Sequence, residues 1–198
     1  MNMAAVLDGL LAVTAFCLAF RFGREFPGVR LGCILLGSAA LLGALRFSGA
    51  PINPELHRFF SFLGAGVGLP LIAVTVLWPT CLVAATRRYA WVFAVIAAVL
   101  CVMFDIVVKT TLWASAASIL AAVTILWVGF ARKEYIVVVA GLSLVGALLA
   151  FAVKLQIADL RPGDLLHIGL ALGLALTGRW LVVLSATTIK NPKPAALG

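Results

Sequence analysis

Gly163-Asp164-Leu165-Leu166-His167-Ile168-Gly169-Leu170-Ala171-Leu172-Gly173 opens the last long apolar run of the chain and sets an acid and an imidazole at its mouth. Asp164 and His167 are three apart, which puts them on one face of a helix. The run stays apolar as far as Thr187, the length of a bilayer-crossing helix. One other histidine exists, His57, and it too stands where an apolar run begins. The organisation of the chain turns on whether these two places meet.

Composition sets the class. Of 198 residues, 64% are hydrophobic and 11% charged, with a mean hydropathy of +1.18. A soluble domain is about half apolar and about a quarter charged. The excess here predicts an all-α polytopic membrane protein. The formal net charge is +8, but the basic residues lie in short gaps between apolar runs, as membrane topology alone demands, so no nucleic-acid partner is expected. Met1 to Ala5 lack Lys and Arg, and no small-residue cleavage pattern follows, so the first run is expected to stay as a helix. Cys17, Cys33, Cys81 and Cys101 stand singly and read as small packed side chains.

Seven helices are predicted, over about 4–20, 31–47, 54–86, 90–108, 111–130, 135–153 and 164–187. Asn53-Pro54-Glu55 marks the third start: a capping side chain, a proline at the first position and an acid in the first turn. The apolar part of that helix, 59–86, would be about 42 Å long against a core of about 30 Å, so it must tilt or bend, with Pro70 and Pro79 as bending points. The domain reading is one seven-helix domain over 1–188 and a short loose tail over 189–198.

Charge then orients the bundle. With the N-terminus outside and the C-terminus inside, the inner side holds ten basic residues and two acids, and the outer side five of each. That is the positive-inside arrangement. Trp180, beside Arg179, is expected as an inner interfacial anchor. Five of the seven acids and both histidines fall on the outer side: Asp8 early in helix 1, His57 early in helix 3, Asp105 with Lys109 late in helix 4, and Asp164 with His167 early in helix 7. Ionisable groups at membrane depth are costly and normally face a cavity or bundle interior.

Two imidazoles and a carboxylate are a donor set for a catalytic zinc that keeps one position for water. His57, Asp164 and His167 are the metal candidates, against the plainer reading that Asp164 favours its helix start by charge–dipole attraction. Asp105 is a candidate base, against a plain ion pair with Lys109; Ser61, four residues after His57, is the catalytic hydroxyl on its face. Arg46, Arg58 and Lys109 are candidates for holding an anionic group of a substrate, or snorkel to lipid headgroups. Gly64-Ala65-Gly66-Val67-Gly68 and Gly169 to Gly173 carry small residues four apart, which suggests that helix 3 packs closely on helix 7 and levels the two histidines.

Seven helices with an outside N-terminus, His57 near the second and third helices, and Leu166-His167-Ile168 followed by Gly173 resemble the superfamily of alkaline ceramidases and progestin/adipoQ-type receptors. That resemblance implies a seven-helix membrane hydrolase with zinc held by histidines, of which His57 resembles the early one and His167 the last. Where the family has a further histidine and a serine, this chain has Gly163 and Asn53, and Asp164 is taken as the replacement ligand. The functional expectation is a zinc-dependent intramembrane hydrolase of lipid amides or esters in a bacterial inner membrane, with an outward-facing polar cavity and membrane lipids as partners. Two other readings stand beside it. One is a solute transporter or binding protein with Arg46, Asp105, Lys109 and Asp164 along its path; the other is a structural subunit of a membrane complex.

Overall fold

The computed structural model describes residues 2–22, 24–106 and 112–190. Among the described residues, seven helices are long and apolar enough to cross a membrane. They are α1 (Met3–Arg21), α2 (Pro27–Phe47), α3 (Pro54–Leu77), α4 (Arg87–Ile106), α5 (Leu112–Arg132), α6 (Tyr135–Ala152) and α7 (Pro162–Lys190). Among the described residues there is no strand, only one isolated bridge between Ile157 and Leu160. The chain is an all-α integral membrane protein. Lys109 and the end of the tail, 191–198, lie outside the described residues.

Local chemistry explains the helix starts. Asn2 caps α1 by accepting from the Ala4 amide at 3.2 Å. Asn53 caps α3 by accepting from the Glu55 amide at 2.9 Å, with Pro54 in the first turn as expected. Asp164, the third residue of α7, reaches back instead, its Oδ2 accepting from the amide of Arg161 just before the helix at 2.9 Å.

The third helix departs from expectation. It ends at Leu77 and does not run on to Thr86. Pro79 disfavours helical geometry at the residue before it, and Trp78 accordingly leaves the helix at φ −136°, ψ 81°. A single helical turn, Leu82–Ala85, follows, and extended Thr86 leads into α4 at Arg87, three residues before the expected start. Pro70 causes no break. The preceding turn, Gly64–Gly68, is π-helical, with the Leu69 amide donating to the Gly64 carbonyl five residues back. A π turn in a helix absorbs one extra residue, and here it sits where proline removes a donor.

Around the bundle, α7 packs on α1, α1 on α2 and α2 on α3, while α5 packs on α3 and α6 joins α5 to α7. The glycine faces of α3 and α7 do not meet. A side-chain carbon on Gly68 would lie 2.9 Å from the Gly32 carbonyl oxygen of α2, and one on Gly173 would lie 2.6 Å from Leu144 of α6. Each face therefore packs on a different neighbour. Leu71, Ile125, Leu144, Leu174 and Leu181 are fully buried in the core. Trp180 is buried too, 5% exposed, beneath the Arg132 guanidinium, and so is no lipid-facing anchor.

Candidate functional site

At the end of the bundle where α1, α3 and α7 begin, three ionisable side chains turn inward from three helices. Asp8, the sixth residue of α1, is 0% exposed. Its Oδ1 lies 2.9 Å from Nδ1 of His167 on α7. The other carboxylate oxygen faces Gly43 of α2, and a side-chain carbon there would overlap it. The same carbon would stand 2.9 Å from Nε2 of His57 on α3. Gly43 is thus the place where the missing side chain lets α1 and α3 present polar groups to one space. His57 lies within electrostatic reach of Asp8, Arg46 and His167. His167, Asp8, Gly43 and His57 come from four successive neighbours around the bundle.

The outer edge of the cluster is tied down. Asn2 Nδ2 donates to the Phe47 carbonyl at 3.0 Å, fastening the start of α1 to the end of α2. The Phe47 ring meets the His57 ring edge-on at 6.1 Å between centroids. Arg46 Nη1 lies 3.5 Å from His57 Nδ1. A guanidinium only donates, so Nδ1 of His57 accepts, and in the neutral ring the proton then belongs to Nε2, on the Asp8 side. Asp8 thus has Nδ1 of His167 at 2.9 Å and, across the space at Gly43, the ring of His57.

Hydrogen bonding around Asp8 is incomplete. The contact with His167 has the distance of an ion pair but not the angles of a hydrogen bond. Both Asp8 oxygens and Nδ1 of His167 are buried without a hydrogen-bond partner. Such groups cost about 1–3 kcal/mol each when left unpaired, more when charged, so their grouping asks for a role beyond packing.

The other expected site residues are used differently. Asp164 is 4% exposed, and one of its oxygens is committed to the start of α7. Ser61 donates to the His57 carbonyl at 2.8 Å, a bond within its own helix. Asp105 pairs with Arg58 at 2.9 Å, and Arg58 also reaches Glu55 at 3.7 Å, so Arg58 and Asp105 hold α3 to α4 near the surface. The expected partner of Asp105, Lys109, lies outside the described residues. Arg46 has no carboxylate partner among the described residues and stands beside His57. No group of three or more His, Cys, Asp or Glu side chains is placed to hold a metal ion among the described residues.

Sequence reasoning placed Asp8 in the polar cluster and passed over it as a site residue. Its signal was its depth: it is flanked on both sides by apolar sequence, whereas Asp164 stands at a loop edge. Gly43 had no signal of its own, since a glycine in an apolar helix reads as a packing residue.

Comparison with protein-family models, with curated proteins and with solved structures gave no significant match.

Proposed function

We propose that the protein is a membrane-embedded hydrolase of lipid-like esters or amides, with Asp8 and His167 as its acid–base pair and His57 beside them. The observation that carries this reading is Asp8: fully buried, its oxygens without a hydrogen bond, with an imidazole of α7 at 2.9 Å. A carboxylate beside one imidazole nitrogen leaves the other nitrogen of the ring for proton transfer, which suits His167 to take a proton from an attacking water. Arg46, next to His57 and exposed, is suited to hold an anionic part of the substrate or a developing oxyanion. With the N-terminus outside, the centre opens toward the outer face, as the charge asymmetry of the sequence favours.

The zinc version of this proposal changes its carboxylate. Asp164 serves the start of α7, so Asp8 is the acid beside the two histidines. As placed, these side chains do not make a coordination set, and the acid–base reading uses no metal. The transport reading has less behind it. Asp105 is held by Arg58 and Asp164 by its helix start. Of the deeper hydroxyls, Thr75 bonds the Leu71 carbonyl and Ser143 the Gly169 carbonyl, and Thr177 alone of these three is buried without a partner among the described residues.

The test is hydrolysis by the purified protein of a panel of long-chain esters, lysophospholipids and N-acyl lipids, with Asp8→Asn and His167→Ala as controls. Loss of about 10²–10⁴-fold in rate in both variants is expected for removal of an acid–base group. A wild-type protein inert across the panel, or variants as active as wild type, sinks the proposal. Metal analysis of the same wild-type sample separates the two versions: about one zinc per chain, lost in His167→Ala, supports the metal form.

A further inference from the structure

The opposite end of the bundle carries a second feature, independent of the acid–base centre. A narrow cleft of about 120 Å³ runs between the start of α2 and the start of α4. Arg30 and Arg87 line it together with Leu31, Ile34, Ala90 and Trp91. Arg30 also lines a wider neighbouring cleft of about 320 Å³ with Arg21, Arg24 and Glu25. The basic residues here are not equivalent. Arg21 pairs with Glu25 at 3.8 Å, and Arg132 donates to the Leu77 carbonyl at 2.7 Å while covering Trp180. Arg30 and Arg87 are exposed and have no ion-pair partner among the described residues. The narrow cleft has no acidic lining residue.

We infer that this cleft is a binding site for one anionic phospholipid of the surrounding bilayer. Its two ends match the two ends of such a molecule. Arg30 and Arg87, in the first turns of their helices, supply fixed positive charge and directed donors for a phosphate. Ile34 and Trp91, one turn deeper, offer apolar surface to an acyl chain, and Trp91 is 50% exposed. α4 is the least enclosed of the seven helices, 22% buried against 56% for α2, so the cleft opens sideways to lipid. Basic pockets between membrane helices recognise acidic headgroups in this way. A zwitterionic lipid would bring its own cation to an already doubly positive site, which is why the acidic class is favoured.

The full-length protein, purified in detergent, is mixed with equal phosphatidylglycerol and phosphatidylcholine, and retained lipid is counted by native mass spectrometry. Preferential retention of phosphatidylglycerol is expected. Arg30→Ala and Arg87→Ala should each lower it about fivefold, the usual worth of one basic side chain at an anionic surface. Arg88→Ala, changed next to the cleft, should not. Retention in wild type should also fall on raising sodium chloride to about 0.5 M, a readout that needs no variant. Equal retention of the two lipids, no effect of either substitution, or equal competition by glycerol phosphate lacking acyl chains would overturn the inference.

Discussion

The two ends of the bundle handle charge in opposite ways. At one, Asp8 and His167 are drawn inside, 0% and 21% exposed, and a glycine makes room for them. At the other, Arg21, Arg24, Arg30, Arg87 and Arg88 are left at the surface. Surface arginines at helix ends cost little, because a long side chain keeps its head in water. A buried carboxyl has no such escape, and Asp8 makes no hydrogen bond that would offset its burial. The basic end follows from topology. The buried end needs a reason, and acid–base chemistry is the one proposed.

That contrast can be broken most sharply at Asp8. Asp8→Asn keeps the shape and removes the acid, so it should abolish hydrolysis by the factor given above while leaving the thermal transition of the protein close to wild type. A variant that unfolds instead would recast Asp8 as a structural group. Gly43→Ala comes next. Its new carbon would meet the Asp8 carboxyl and His57 Nε2, and crowding of a packed site costs about 1–3 kcal/mol. Removing the obstruction in the double variant Asp8→Ala/Gly43→Ala should recover part of that loss, since contacting residues couple. Unfolding midpoints of the three variants decide this, and strict additivity would contradict the geometry. The smallest effects belong to the exposed pairs. Asp105→Ala at Arg58, and Glu25→Ala at Arg21, should each change stability by no more than about 1 kcal/mol, less in high salt. A larger loss for Asp105→Ala would return that residue to the list of site candidates.

Much of the site was within reach of sequence reasoning, and its errors have one physical source. Position along a helix can be read from the chain, because each residue adds a fixed rise. Hence Asp8, His57 and His167 were placed at one depth. Rotation about the helix and choice of neighbour cannot be read that way. The small-residue faces of α3 and α7 suggested each other as partners, yet Gly68 crosses Gly32 and Gly173 crosses Leu144. His57 and His167 still come together, by way of Asp8 and Gly43 on the two helices between them. Asp164 looked like the acid partner of His167 by spacing, but its place at a helix start gave it a backbone amide to satisfy. The end of α3 was legible in principle, since Trp78 precedes a proline; the apolar stretch beyond it concealed the stop.

Composition and periodicity alone determined that seven apolar helices would form and that polar groups would gather at one end, because burying backbone in lipid leaves a chain few other options. Only the tertiary structure decided that Asp8 is the acid buried beside His167 and that Gly43 gives it space. That choice depends on which helices touch and which faces they turn to one another, and it is settled by packing between residues far apart in the chain.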